Sequence, residues 1–238
     1  MKFKKILILG GAGYLGMHLV DSLSVYNRIT IFDKKKIKKS TKSVKFICGS
    51  LLNKKDLHKI PKNIDIAIFL IGYTGGPESL LEEKLKKYIE LNCETLINYL
   101  ATITSNTLKK IIFVSTEHVY GEHKIEDNKE IFPKNYYGVS KHISEKIAHS
   151  FYQANKINVD IIRVPRIISK NQESIISKMI KTAKSKKIIK LNFHCNYFNF
   201  IYMDDFIEAI KCTLIFKKKE FRILNIFSNS RPIKLFEI

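Results

Sequence analysis

Lys5-Ile6-Leu7-Ile8-Leu9-Gly10-Gly11-Ala12-Gly13-Tyr14-Leu15-Gly16-Met17-His18-Leu19-Val20-Asp21-Ser22-Leu23 sets the reading of the whole chain. The first five residues are a short apolar run of buried-strand character, and the last seven read as a helix. Between them, both Gly11-x-Gly13-x-x-Gly16 and Gly10-x-x-Gly13-x-x-Gly16 fit the loop. Glycine serves three ends there: a tight turn, close approach of backbone to a pyrophosphate, and close packing of helix on strand. A helix that opens straight out of such a loop presents backbone N–H groups and a partial positive charge to phosphate. A second apolar run, Arg28-Ile29-Thr30-Ile31-Phe32, ends at Asp33, where the ribose-binding acid of such a unit belongs. The pattern predicts a dinucleotide site built from Gly10, Gly13, Tyr14, Leu15, Gly16 and Asp33. A carboxylate at Asp33 accepts from both ribose hydroxyls of NAD and repels a 2′-phosphate. Lys34, Lys35 and Lys36 follow at once and partly offset that repulsion, so NAD is favoured and NADP stays open.

The second informative stretch lies in the middle of the chain. The run Ile111-Ile112-Phe113-Val114 delivers Ser115 and Thr116, and Lys141 follows Tyr137 by four residues. If Tyr137 opens a helix, that spacing stacks the phenol and the ammonium on one face. A neighbouring ammonium favours tyrosinate, so the phenol is expected to titrate below its ordinary ~10. Such a group transfers protons to or from a hydroxyl or a carbonyl. Thr116, at a strand end, is expected to hold the same oxygen by a hydrogen bond. Tyr136 is the rival for the role, but four residues after it stands Ser140, which carries no charge.

Strands are expected near residues 4–9, 28–32, 44–48, 65–70, 110–115 and 159–164, with helical stretches between them. That alternation argues for an α/β fold, a doubly wound parallel sheet of the Rossmann type. One long amphipathic helix is expected from about Ser79 to Ala101, with Leu81, Leu85, Tyr88, Ile89 and Leu96 at helical spacing. A chain of 238 residues buries a substantial core as one domain, or as one large and one small lobe. We divide it into a dinucleotide-binding part, 1–165, and a small substrate-binding lobe, 166–238, interleaved with the last elements of the sheet. Leu70, Gly72 and Tyr73 follow the fourth strand, at the carboxyl edge where ligands sit in such sheets. Leu70 and Gly72 are expected on the cofactor side of the crevice and Tyr73 toward the substrate.

With these residues in hand, the chain resembles the extended short-chain dehydrogenase/reductase family, in its NAD-dependent epimerase/dehydratase group acting on nucleotide sugars. Leu9 to Gly16 is similar to the family's Thr-Gly-Gly-Ala-Gly-Phe-Ile-Gly, with Leu9 in place of the threonine. Ser115-Thr116-Glu117-His118-Val119-Tyr120-Gly121 is similar to its Ser-Ser/Thr-x-x-Val-Tyr-Gly signature. Pro133 to Glu145 resembles its Pro-x-x-x-Tyr-Gly-x-Ser-Lys-x-x-x-Glu stretch, and Phe200 to Asp205 its late Phe-x-x-Val-Asp-Asp element. The resemblance implies catalytic roles for Thr116, Tyr137 and Lys141, with Tyr137 and Lys141 also touching the cofactor. It implies an adenine contact at Ser50 and Leu51, where the family reads Gly-Asp-hydrophobic and this chain reads Gly49-Ser50-Leu51. Contacts to the substrate follow for Asn92, Glu117, His118 and Arg166, and a homodimer follows through the helices carrying Asn92 and Tyr137–Lys141. Asn92 is equally readable as a plain buried hydrogen-bonding residue. Three departures matter. The arginine that the family places before Phe-x-x-Val-Asp-Asp is absent, the local sequence being Tyr197-Phe198-Asn199. The acidic pair after the threonine of dehydratases is Glu117-His118 here, which disfavours dehydration. The C-terminal lobe is also short for the family.

The chain carries 42 Lys plus Arg against 22 Asp plus Glu, a formal charge of +20. Such a field attracts polyanions. The lysines are scattered through the whole chain without a nucleic-acid motif, so no nucleic-acid partner is expected, whereas an anionic nucleotide sugar is drawn in. The densest stretch, 175–190, reads as a helix with a solvated basic face. Cys48, Cys93, Cys195 and Cys212 show no metal or redox spacing, and Cys48 and Cys93 read as small buried hydrophobes. No metal is expected: His194 lacks partners, and Asp204-Asp205 reads as the cap of the following helix. No signal-peptide pattern precedes the first strand and no apolar run reaches membrane-spanning length, so the expectation is a cytoplasmic, reduced protein.

The leading expectation is an NAD(P)-dependent oxidoreductase that reduces a keto group of a nucleotide-activated sugar in surface polysaccharide synthesis. Beside it stand a nucleotide-sugar 4-epimerase that retains its NAD, and a non-catalytic dinucleotide-binding relative. The short C-terminal lobe tilts the balance to the reductase, because an epimerase must hold a keto intermediate while it rotates. Asp33 generates the first prediction. NAD should bind more tightly than NADP, and Asp33→Ala should narrow that preference. Calorimetric titration in which NADP is the tighter ligand of the parent protein would move the ribose assignment to Lys34–Lys36.

Overall fold

The computed structural model of the chain describes residues 3–37, 41–74, 77–104, 107–121, 130–169, 181, 182, 184, 185, 199–216 and 220–227. Its strands are β1 (Lys5–Leu9), β2 (Arg28–Asp33), β3 (Val44–Cys48), β4 (Ile66–Phe69), β5 (Lys110–Thr116), β6 (Asn158–Val164), β7 (Arg166–Ile168), β8 (Phe200–Tyr202) and β9 (Phe221–Asn225). Seven of them form one sheet in the order β3-β2-β1-β4-β5-β6-β9, with every pairing parallel. β7 and β8 form a separate parallel ribbon. Helices α1 (Tyr14–Leu23), α2 (Lys54–Leu57), α3 (Leu85–Tyr88), α4 (Thr95–Ala101), α5 (Tyr136–Asn155) and α6 (Met203–Ile215) accompany them.

A parallel sheet covered on both faces needs no polar alternation, and β4, β5 and β6 are buried at every residue. The pleat turns Ile6 and Ile8 to one face and Leu7 and Leu9 to the other. On the first face they join Leu19 and Val20 of α1 and Phe206 and Ile210 of α6. On the second, Leu7 and Leu9 join Leu96 and Tyr99 of α4 and Ala148 of α5. The winding reverses between β1 and β4: β2 and β3 are laid down to one side, β4, β5 and β6 to the other. The loops leaving β1 and β4 therefore diverge at their carboxyl ends and open the crevice where such sheets bind ligands. At the opposite end of the sheet, the buried Lys110 donates to the carbonyls of Thr213 (2.6 Å) and Phe216 (2.9 Å) and pairs with Asp160 at 3.0 Å. A cation there complements the negative end of α6.

The expected single helix from Ser79 to Ala101 is corrected in two ways. Its first turns are tight 3₁₀ turns, Pro77–Leu80 and Glu82–Lys84, which leave Leu81 exposed rather than inward. A π turn, Ile89–Glu94, then separates α3 from α4 and adds a residue that a 3.6-residue period does not anticipate. Asp204 and Asp205 lie inside the first turn of α6, after the N-cap Tyr202, and cap nothing by side-chain bonds. They favour the helix through its dipole instead. Cys93 is buried as expected, whereas Cys48 is half-buried and Cys212 exposed. β9 adds a strand beside β6 that the sequence pattern alone leaves unassigned. Most of the basic stretch 175–190, with His194 and Cys195, lies outside the described residues. Among the described residues no helix is long and apolar enough to cross a membrane.

Packing in the glycine loop is tightest at Gly16, where an added Cβ would lie 2.5 Å from Gly11 Cα and 2.7 Å from the Gly10 carbonyl oxygen. Both obstacles are backbone, so neither rotates away. Gly16→Ala should lower stability by about 1–3 kcal/mol and weaken NAD binding at least about tenfold, through displacement of the loop that meets the phosphates. Urea unfolding and NAD titration check this, and an alanine variant equal to the parent in both would refute it.

Candidate active site

Loops from β1, β4 and β5 meet at the crevice. The first leaves β1 at Gly10, whose φ of +83° lies where side-chain-bearing residues are strained. A Cβ there would lie 3.0 Å from the Ile71 nitrogen, so the two chains are in contact where they leave the sheet, before the loops part. Gly13 is the N-cap of α1, and no acidic residue in the first turn neutralises the positive end of that helix. Leu15 packs half-buried on the core, and the Tyr14 hydroxyl bonds Ser169, just beyond β7. Asp33 accepts from Ala12 N at 3.0 Å through Oδ2 and from Lys35 N at 2.9 Å through Oδ1. Each oxygen is thereby fixed beside the glycine loop and keeps lone-pair capacity for a ribose hydroxyl. Lys34, Lys35 and Lys36 are exposed. Ser50 is held by Asp56, whose Oδ2 accepts Ser50 N at 2.9 Å, and its own hydroxyl accepts Leu52 N at 3.3 Å. Leu51 is corrected: its side chain is 2% exposed and packs into the core, and its carbonyl accepts from Asn98 at 2.9 Å. It underlies the crevice instead of facing a ligand.

β5 ends at Thr116, whose Oγ1 caps the following 3₁₀ turn by accepting His118 N at 3.3 Å. Tyr137 stands in the first turn of α5, where the N-cap Asn135 accepts Gly138 N at 2.8 Å. Thr116 stands beside the Tyr137 phenol, where its side chain favours the ionised form. Lys141, one turn on and buried, donates to the Val114 carbonyl at 2.7 Å and stands 4.1 Å over the Phe113 ring. Three residues that the sequence separates thus converge. Their electrostatics correct the expectation of a lowered phenol. Desolvation pushes Tyr137 up to about 12, against the opposing pull of Thr116, and Tyr88 and Glu117 add to the rise. Desolvation also pushes Lys141 down to about 8, against the opposing pull of Glu145 and Cys93. The ammonium is committed to the end of β5, and Tyr137 is protonated at neutral pH.

Asn92 lies on the π turn and is 0% exposed. Its Oδ1 accepts Tyr73 N at 2.6 Å, and its Nδ2 donates to the Tyr73 carbonyl at 3.1 Å and to Ser140 Oγ at 2.7 Å. Both amide hydrogens are used within the protein, so the expected substrate contact is corrected: Asn92 pins the loop after β4 to α5. Ser140 passes the contact on by donating to the Tyr137 carbonyl at 2.8 Å. Gly72 belongs to the same clamp, since a Cβ there would lie 3.0 Å from Asn92 Oδ1. Leu70 donates its N–H to the Leu9 carbonyl at 2.9 Å and packs half-buried on the core. The Tyr73 ring stacks 4.7 Å from Tyr88, Tyr88 lies 6.2 Å from Tyr137, and His118 meets Tyr137 edge-on at 5.4 Å.

Glu117, His118 and Arg166 form the other wall. Glu117 accepts from Asn199 at 2.9 Å, and burial pushes its carboxyl up against that bond and the Arg166 charge. Asn135 commits its oxygen to the α5 cap, so its NH₂ faces His118 Nδ1 at 3.3 Å. Nδ1 accepts, which assigns the imidazole proton to Nε2. Desolvation, with Arg166 beside it, pushes His118 down to about 4, so the ring is neutral. Among the described residues no three His, Cys, Asp or Glu side chains converge as metal ligands.

The model of the NAD dependent epimerase/dehydratase family matches residues 6–226. The chain belongs to this family. It is 32% identical over 244 residues to a dTDP-D-glucose 4,6-dehydratase of Dictyostelium discoideum, over 89% of this chain and 55% of that protein. It is 31% identical over 153 residues to a UDP-glucose 4-epimerase of Lacticaseibacillus casei, over 60% of this chain and 46% of that protein. The fold matches the UDP-N-acetylglucosamine 4-epimerase from Methanobrevibacter ruminantium M1 with a TM-score of 0.84 at 22% identity, over 99% of this chain and 80% of that one. The chain spans about half the length of these two relatives.

NAD is the cofactor of the NAD-dependent epimerase/dehydratase family, and the residues present fit it. The glycine loop forms a cradle that a Cβ at Gly16 would fill, and Asp33 is oriented with acceptor capacity to spare. The sequence pattern assigns no role at the site to Asn135, Ser140, Asp56 or Asn199, which orient it without facing it. Of these, Asn135 was legible as a helix cap next to Tyr136-Tyr137. Arg163 carried a signal too: a charge inside Ile161-Ile162-Arg163-Val164 demands a buried partner.

His118 gives a pH prediction. Its folded pKa of about 4 lies below the ordinary value of 6.5, so the unfolded chain takes up a proton that the folded chain refuses. Stability contributed by the neutral ring is therefore lost as pH falls from about 6.5 through about 4, on the order of 2 kcal/mol. Urea unfolding at pH 7 and pH 4 should show a smaller acid loss for His118→Asn than for the parent. Equal losses would remove the claim that the ring is held neutral.

Proposed function

We propose that this chain is the catalytic body of an NAD-dependent nucleotide-sugar 4-epimerase. The observation that carries this reading is the assembly at the end of β5: Thr116 beside the Tyr137 phenol in the first turn of α5, with Lys141 buried one turn on and bonded to the Val114 carbonyl. Family membership supports the cofactor, and the likeness to a UDP-glucose 4-epimerase supports the reaction class. NAD would be held by the glycine loop, Asp33, Ser50 and the Tyr137–Lys141 turn, and when bound it supplies a reversible hydride acceptor and a positive charge. The proton belongs to the protein. Tyr137 carries it between its phenolic oxygen and the sugar hydroxyl in both directions, as a reaction that ends with an alcohol where it began requires. Thr116 holds the same sugar oxygen. A phenol near 12 is a reluctant base, so positive charge in the site, Lys141 foremost, has to favour the tyrosinate for the outward transfer.

The wall opposite argues against dehydration, despite the likeness to a dehydratase. Glu117 is engaged by Asn199, and the neutral His118 presents Nε2–H as a donor, so neither is the free carboxylic acid and base of a paired set. Tyr73 and Arg166 complete the substrate side in this proposal, and the positive field of +20 suits a diphosphate. The division into a dinucleotide-binding part and a small substrate lobe belongs to the same proposal. So does pairing of two copies through α4 and α5, whose Ile97 and Ile143 remain exposed. The keto-sugar reductase is the second reading, favoured by the burial of the Tyr137 phenol, which holds it in the protonated form that a proton donor to a carbonyl needs.

Purified protein should retain NAD(H) and interconvert 4-epimers of a nucleotide sugar without net change in NADH absorbance. Net cofactor oxidation matched to alcohol formed would transfer the reading to the reductase. Tyr137→Phe should bind NAD normally while turnover falls by about 10²–10⁴-fold, the range for a lost general acid or base. Full turnover in that variant would remove the proton-transfer assignment.

A further inference from the structure

Behind the active site lies a buried ion pair that the proton transfer does not use. Arg163 of β6 and Glu145 of α5 have side chains 5% and 3% exposed. The pair is bidentate, Arg163 Nε to Glu145 Oε1 at 3.0 Å and Nη2 to Oε2 at 2.6 Å. Ser115 Oγ donates to the same carboxylate at 2.5 Å. Arg163 Nη1 also donates to the Tyr120 hydroxyl at 2.6 Å, and that hydroxyl donates to Asn225 Oδ1 of β9 at 2.8 Å. His142 Nδ1, a buried nitrogen with no hydrogen-bond partner, lies 3.6 Å from Glu145 Oε2.

Placement makes this more than a core feature. Tyr137, Lys141 and Glu145 follow one another at intervals of four on α5 and share one stripe of that helix. Lys141 holds the carbonyl of Val114 and Glu145 holds the hydroxyl of Ser115. These are the two residues of β5 that precede Thr116, so α5 is stitched to the strand where the catalytic threonine emerges. An ion pair buried this deeply is seldom worth more to stability than well-packed apolar side chains of the same volume. Its position therefore asks for another account.

We propose that Glu145 is a positioning residue of the active site, which locks the end of β5 to α5 and holds the Lys141 ammonium in working register. The proposal rests on the reading of Tyr137 and Lys141 as the working pair. The groups that face Lys141 are Glu145 on its own helix, the Cys93 thiol on the π turn, and the Val114 carbonyl and Phe113 ring on β5. Those that face Glu145 are Arg163, Ser115 and His142. The Glu145 charge opposes the desolvation that draws Lys141 down to about 8. Without that charge the ammonium gives up its proton at still lower pH.

The test follows Lys141 directly, in protein labelled at lysine Cε with carbon-13, its resonance assigned by its loss in Lys141→Arg. In Glu145→Gln the midpoint of the Lys141 titration should move down by about one pH unit. The fall of turnover on the alkaline side should move with it, and Glu145→Asp, which keeps the charge, should recover most of the shift. Glu145→Gln/Arg163→Met leaves no unpaired charge in the core and carries the test if the single variant does not fold. An unmoved midpoint in a folded variant overturns the proposal. Failure of both variants to fold overturns it as well, because the pair would then be a support of the core alone. The titration is read without substrate, so full turnover in Tyr137→Phe would sink the catalytic reading and leave the coupling of Lys141 to Glu145 measurable.

Discussion

Neither face of a parallel sheet can be left to water, and that constraint underlies the rest of this structure. Strands as apolar as β4, β5 and β6 must be covered on both sides, so the chain has to send helices to both faces. It does so by winding away from β1 in two directions. The reversal between β1 and β4 separates two loops that would otherwise lie together, and the gap is the crevice. The glycines of the first loop make the arrangement sterically possible. Gly10 takes a backbone conformation that strains other residues, and Gly16 lets α1 start directly over the loop.

Around that crevice, polar side chains are mostly committed to the protein itself. Asn92 ties the loop after β4 to α5, Asn135 starts α5 while fixing the tautomer of His118, and Glu145 with Arg163 ties α5 to β5, β6 and β9. A buried donor or acceptor left unpaired costs about 1–3 kcal/mol, so each of these bonds resists rearrangement. The few groups that retain capacity toward the crevice stand out for that reason. They are the Asp33 lone pairs, the Thr116–Tyr137 oxygens and the Nε2–H of His118.

Burial then decides protonation. The same desolvation raises Tyr137, lowers Lys141 and lowers His118, because in each case it disfavours the charged form. The site consists of a neutral phenol, a neutral imidazole and an ammonium close to losing its proton. Sequence spacing anticipates one part of this, the Tyr137–Lys141 neighbourhood, and misjudges another, since it counts the attraction of two groups and not the loss of water around them.

The sequence by itself determined the parallel α/β class, the glycine loop, the acid at Asp33 and the identity of Thr116, Tyr137 and Lys141. Each of these is written locally: in an apolar run, in glycines at fixed intervals, or in residues one helical turn apart. Tertiary structure alone decided that Asn92 serves the loop after β4, that Leu51 is core, and that the helix before Asn92 begins late and carries a π turn. It also decided that β9 completes the sheet and that Glu145 meets Ser115 and Arg163. These depend on contacts between residues 18 to more than 60 positions apart. A local pattern can say that a buried charge needs a partner. Only the packed fold supplies the partner, and with it the loss of solvent that shifts Tyr137, Lys141 and His118.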